Sequence, residues 1–358
     1  MTTNRFDTLT RTLATKLSRR RAMQATGIGL AVGLVGTHGA TVFAQDATLS
    51  ASPATNCAAG SEEDNLAVAK RWFNDGLNHG NIGVIDEIVS PDVNIDAATF
   101  PSGQAPETIK HIFTSVLTAF PDVQFSIEQS LTDGDYVVLQ WTATGTQKAD
   151  FIGVSPANGM RTWSGIHLFR LSCGRIVEVW TEVDGLSQVR LTTPEDTSAA
   201  ASPEATPGFV IGACQTGSRE ENTAVAKRWL DVWNTKDVSL YEDLVHPDTV
   251  HHFGVLRDVA GIKDLQASAG QVFSAFPDLA VTMHEVVVDG DFVAIRFTDT
   301  GTQTGTFLGV EPTGKGVTWT GINIFRIQCG RVRESWSEVA NIDIWRQLGK
   351  LDAATPAP

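Results

Sequence analysis

The chain repeats itself. "AVAKRWFNDG" at Ala67 returns as "AVAKRWLDVW" at Ala224, and "AFPDVQFSIE" at Ala119 returns as "AFPDLAVTMH" at Ala275. The longest match pairs "ATGTQKADFIGVSPANGMRTWSGIHLFRLSCGR" with "DTGTQTGTFLGVEPTGKGVTWTGINIFRIQCGR". The offset is 157 residues early and 156 later, so one residue has been lost between the copies near residues 73–90. A period this long marks a duplicated domain rather than a solenoid. Whatever fold one copy adopts, the other must adopt as well.

Each copy presents the same order of elements. "SEEDNLAVAKRWFNDGLN" and "SREENTAVAKRWLDVWN" open on a serine with an acid three residues later and continue with apolar residues at helical spacing. Short helices follow near Val84–Ile88 and Leu240–Leu244, and longer ones over Ala105–Ala119 and Ile262–Ala275. Beyond each Phe-Pro-Asp turn the period changes to two, and "VQFSIEQSL", "DYVVLQWTATG", "RTWSGIHLFRL" and "RIVEVWTEV" read as strands between Asp-Gly and Cys-Gly turns. Helices first and an antiparallel sheet afterwards make an α+β domain.

The segments outside the copies have different compositions. "LSRRRAMQATGIGLAVGLVGTHGATVFAQDA" holds the basic cluster Arg19, Arg20 and Arg21, a Gly/Ala-rich apolar run, and a small-residue cleavage pattern at Val42-Phe43-Ala44. Ser18-Arg19-Arg20 is similar to a twin-arginine export signal, with Ala22 where that signal usually has Phe. The expectation is an exported protein, extracellular, periplasmic or at the cell surface, with an N-terminal membrane anchor as the alternative. The domains then run as 1–44 export signal, 45–60 linker, 61–191 first domain, 192–213 flexible linker rich in Ala, Ser, Pro and Thr, 214–350 second domain and 351–358 tail. Residues 1–44 hold six of the 27 Lys/Arg and one of the 41 Asp/Glu, so the remainder is strongly acidic. A field of that sign argues against nucleic acid or an anionic membrane surface as partner.

Four cysteines follow the duplication. Cys57 and Cys214 precede the first helix of each copy, while Cys173 and Cys329 sit at matching turns before each last strand. In an exported chain this suggests the disulfides Cys57–Cys173 and Cys214–Cys329, with free or cross-paired thiols as the alternatives. No cysteine pair has metal-ligand spacing, so no metal is expected.

The run "FPD", "GTQ-x-G-x-F-x-G-V-x-P-T-G", "W-x-G-I-x-x-F-R" and "CGR-V-x-x-x-W" resembles the SnoaL-like polyketide cyclase or ester cyclase branch of the nuclear transport factor 2-like superfamily. The resemblance spans roughly residues 61–190 and 218–350. It implies two tandem cone-shaped α+β barrel domains, each with three N-terminal helices packed in a curved antiparallel sheet around a pocket. It also implies a carboxylate acid/base four residues after the Trp of the last strand. Asp184 stands there after Trp180, whereas Ala340 stands there after Trp336. A His is common on the first β segment, where Asp96 aligns with His252, and Ile95 with His251.

Polar Arg333, Ser335 and Ser337 suggest that the odd positions of the last strand face solvent, so Glu334, Trp336, Glu338 and Ala340 are expected to face the cavity. Transferred to the first copy, this places Trp180, Glu182 and Asp184 inward. His167, matched by Asn323, shares the aromatic face of Trp163. The expected catalytic set is therefore Asp184, His167 and Asp96, with Trp180, Glu182, Trp163 and Trp141 around it. The second pocket would hold His252, Trp336, Glu338, Asn323 and Trp319.

A buried carboxylate has a raised pKa and is suited to moving a proton between carbon and oxygen beside a carbonyl. No Gly-rich phosphate loop follows a strand and no Gly-x-Ser-x-Gly occurs. The expectation is cofactor-free acid/base chemistry in the first domain on a small apolar organic ligand. A non-catalytic binding module with a degenerate second domain is the alternative. A third reading is structural, in which the copies form an intramolecular pseudo-dimer through their sheets.

Overall fold

A computed structural model describes residues 60–97, 106–156, 159–189, 217–254 and 258–351. The export signal, both linkers, Cys57 and Cys214 lie outside the described residues. In the first copy α1 (Glu62–Arg71) leads through a π-helical turn (Trp72–Asn78) to α2 (Val84–Ile88), β1 (Val89–Ala97) and α3 (Pro106–Ala119). Then come β2 (Gln124–Asp133), β3 (Tyr136–Thr146), β4 (Met160–Ser172), β5 (Arg175–Val183) and the short α4 (Gly185–Val189). The second copy runs α5 (Arg219–Thr235), α6 (Tyr241–Leu244), β6 (Val245–Phe253), β7 (Val259–Ala260) and α7 (Ile262–Ala275). It closes with β8 (Ala280–Asp289), β9 (Phe292–Thr302), β10 (Gly316–Gln328), β11 (Arg331–Val339) and α8 (Asn341–Leu348).

The helix starts carry the signal read from the sequence. Ser61 and Asp64 form a reciprocal capping box at α1, and Ser218 and Glu221 form the same box at α5. The residue lost between copies is located as well. The first copy widens into a π-helical turn over Trp72–Asn78, while α5 remains regular through Thr235. A π turn holds more backbone per turn than an α turn, so the extra residue is absorbed without displacing α2.

Two features of the expected sheets are corrected. The sheets are open, with orders β1-β5-β4-β3-β2 and β7-β6-β11-β10-β9-β8, so the end strands do not meet and neither domain is a closed barrel. They are also mixed: β1 pairs with β5, and β6 with β11, in parallel. The hairpin turns explain the remaining antiparallel order. Cys173 and Gly174 have φ of 55° and 69°, the left-handed pair of a two-residue turn whose twist matches its strands.

Each copy has its own core between helices and sheet. In the first copy the core joins Trp72, Phe73, Phe113, Phe120, Trp141 and Phe169. A further cluster draws on both copies, with Leu131, Val138, Ile166, Leu168 and Trp180 packed against Val287, Ala294, Ile322 and Ile324. Reciprocal hydrogen bonds border it: Thr132 N donates to Asp289 at 3.0 Å, and Val288 N donates to Asp133 at 2.9 Å.

Candidate functional site

Alternation along the strands decides what each cavity sees. On β11 the odd residues turn inward: Ser335 and Ser337 are buried, and the Ser335 hydroxyl bonds His251 Nδ1. Of the even positions expected to face the cavities, Trp336 turns away, whereas Glu338 near the strand end does line the second. Serines are read as solvent-facing by polarity, but a buried partner satisfies Ser335. Trp180 and Trp336 face the other way. Trp180 joins the cluster shared by the copies with the Arg296 guanidinium 5.1 Å from its ring, and Trp336 stacks on His252.

The first cavity, of about 60 Å³, is lined chiefly by Trp72, Phe73, Phe113, Phe125, Trp141 and Trp163, with His167, Thr181 and Val183. Trp141 lies flat across β4 because its partner there is Gly165, where a Cβ would come within 2.2 Å of the indole. The indole Nε1 then donates to His167 Nδ1 at 2.9 Å. Burial lowers the His167 pKa to about 3, so the ring is neutral. Asp96 and Asp184 are not among the lining residues. Asp96 is exposed on β1 opposite Trp180, on the face away from Ile95. Asp184 is buried at the start of α4, where Ser187 N donates to it at 3.1 Å and Asn341 Nδ2 at 3.3 Å.

The second cavity is larger, about 90 Å³, and more polar. Trp229, Trp233, His251, Asp299, Trp319 and Asn323 line it, and Glu338 and Asn341 close one side. Asp299 stands where the first copy has Ala143, and Phe297 and Asn323 replace the Trp141–His167 pair. Burial raises the Asp299 pKa to about 8, against the opposing pull of a hydrogen bond from Trp319. Asp299 Oδ1, Asn323 Oδ1 and Trp229 Nε1 are buried and find no hydrogen-bond partner among the described residues. His251 is neutral, its pKa lowered to about 3 by burial and by the neighbouring His252. His252 lies outside the cavity, bonded to Asp258 at 3.0 Å and Glu334 at 3.1 Å. Burial alone would lower its pKa, but the two carboxylates raise it to about 9.

Three carboxyl groups meet where the copies touch. Glu338 Oε1 accepts from the Ser164 hydroxyl of the first copy at 2.5 Å, and Glu182 is hydrogen-bonded to Thr320 of the second. Burial and the charge of Asp184 hold Glu338 well above the usual carboxylate range, and burial raises Glu182 to about 8. Asp184 thus stands behind the wall of the second cavity, against Gly254 and Glu338, rather than inside the first.

Of the residues expected from sequence, Trp141, Trp163 and His167 line the first cavity, and Trp319, Asn323 and Glu338 the second. Asp184, Asp96, Trp180, Glu182, His252 and Trp336 line neither. Asp299 and His251 were missed, although each is visible as a difference between the aligned copies. Neither Cys173 nor Cys329 is a free thiol. Among the described residues no cluster of three or more His, Cys, Asp or Glu could hold a metal ion.

Helices packed on one open mixed sheet around a cavity, twice in one chain, define a tandem α+β protein. The chain belongs to the SnoaL-like polyketide cyclase family, whose profile matches residues 67–190 and again residues 223–348. No curated protein matches the chain. Among solved structures it is similar to TsrD from Streptomyces laurentii, at 28% identity over 38% of this chain and 99% of that one, with a TM-score of 0.35. AclR from Streptomyces galilaeus is 31% identical over 37% of this chain and 99% of its own, TM-score 0.35. Wild-type IdmH from Streptomyces antibioticus is 27% identical over 36% and 98%, TM-score 0.33.

Proposed function

We propose that the protein performs cofactor-free acid/base chemistry on a small apolar carbonyl compound, and that the reaction occurs in the second domain. The observation that carries this reading is Asp299, a buried carboxyl raised to about 8, lining the cavity with Oδ1 unpartnered. A carboxyl titrating near neutral pH can take a proton from carbon beside a carbonyl and return it to oxygen. The Trp229 Nε1–H offers a donor for the oxygen that gains charge, and Asn323 Oδ1 an acceptor for a hydroxyl. This reading moves the chemistry from the surroundings of Asp184 to the other copy.

The test is deuterium exchange beside the carbonyl of simple cyclic ketones, followed by NMR in D₂O. The parent protein accelerates exchange, and Asp299→Asn removes roughly 10²–10⁴ of that rate. Ketone binding without exchange by the parent protein would establish a binding module instead.

Three further inferences accompany it. The shared apolar cluster and the reciprocal Asp133 and Asp289 bonds support an intramolecular pseudo-dimer. The matching positions of the four cysteines support the bonds Cys57–Cys173 and Cys214–Cys329. The Ser18-Arg19-Arg20 cluster and Val42-Phe43-Ala44 support export, which fractionation of cells expressing the full chain checks.

A further inference from the structure

The first cavity differs from the second in kind. Among the described residues its lining holds no carboxyl group, and His167 is the one titratable side chain. An indole nitrogen only donates, so the bond from Trp141 Nε1 makes His167 Nδ1 an acceptor and places the imidazole proton on Nε2. Among the described residues no protein group accepts that proton. The ring is also held on its faces and edges, 5.0 Å from Phe73, 5.7 Å from Trp72 and 5.4 Å from Phe169. The result is one fixed, uncharged donor in an aromatic enclosure.

We propose that the first cavity is a binding site, not a reaction site, for an uncharged single-ring compound carrying one acceptor oxygen. The aromatic walls take the ring and the His167 Nε2–H takes the oxygen. The size limits this class: about 60 Å³ holds several waters but is below the roughly 150 Å³ of an engineered cavity that binds benzene, so one ring enters only as the aromatic walls give way, and a fused polycycle is excluded. The second copy shows what the pair adds. With Phe297 and Asn323 in place of Trp141 and His167, the second cavity has no imidazole at this position for an indole to orient, and its indole bond runs from Trp319 to Asp299 instead. The inference stands whether or not the second cavity is catalytic.

The test uses the ¹⁵N-labelled full-length protein with two ligands of one shape, acetophenone and ethylbenzene, the second lacking the acceptor. The Trp141 indole resonance is assigned by its loss in Trp141→Phe, a change whose product already occupies the equivalent position of the second copy. Acetophenone shifts that resonance saturably, and ethylbenzene does so about tenfold more weakly or worse, the loss of one buried hydrogen bond. Long-range ¹H–¹⁵N spectra of His167 show the proton on Nε2, and His167→Leu abolishes the preference between the ligands. Should His167→Leu fail to fold, the two ligands on the parent protein still decide. Equal responses to both, a proton on Nδ1, or acetophenone shifting only the second cavity's Trp229, Trp233 and Trp319 would overturn the assignment.

Discussion

Asp299 keeps its proton far above the range in which an exposed aspartate loses it, and this makes stability depend on pH in a defined direction. Its unfolded value is near 3.8 and its folded value about 8, so its contribution is complete below about 4 and is lost as pH rises to about 8. His252 acts in the same direction over a higher window: its folded value of about 9 exceeds 6.5, so its contribution declines between those limits. Asp299→Asn is therefore expected to flatten part of the fall in stability between pH 4 and 8, and His252→Gln part of the fall between 6.5 and 9. Urea midpoints across pH 4–10 check both, and an unchanged profile in either variant would refute its assignment. Asp299 was legible as the first letter of "DTGTQ" against "ATGTQ". The Asp184/Ala340 difference is more conspicuous, but polarity misled the reading of its strand: buried Ser335 finds His251 as partner, a pairing across elements that no local pattern announces.

The elements themselves were largely readable, because capping boxes, Asp-Gly and Cys-Gly turns and period-two runs are local signals. Two of them were not. The parallel pairing of β1 with β5 joins segments some eighty residues apart, and α8 sits where the copies diverge, beyond the last repeated strand. The W-x-G-I motif acquires a reason only in three dimensions, since the glycine exists to let a ring on the neighbouring strand lie flat. Gly165→Ala should cost about 1–3 kcal/mol by overpacking, because the added Cβ meets Trp141 at 2.2 Å. Trp141→Ala in the same chain should recover part of that loss. Denaturant midpoints for the single and double variants measure it, and a Gly165→Ala protein as stable as the parent would show that the indole yields freely.

At the level of the molecule, the two halves share one apolar cluster. Leu131, Ile166, Leu168 and Trp180 are covered by the second copy, so residues 45–191 expressed alone should self-associate or aggregate in sedimentation experiments. A monodisperse monomer would argue against the internal pseudo-dimer. The cysteines set a second expectation: each inferred bond closes a loop of well over a hundred residues, stabilising by roughly 3–5 kcal/mol in the chain-entropy treatment. Peptide mapping of non-reduced protein should find one bond per copy. The Ser164–Glu338 contact has a consequence for inheritance. Repeats as alike as these invite unequal crossing-over, which deletes one unit in a single event. Here the resulting gene product would lack either the Asp184 that faces Glu338 or the Asp299 inside the cavity, because Ala143 and Ala340 stand at the matching positions. No single in-register exchange yields a one-copy product that retains both.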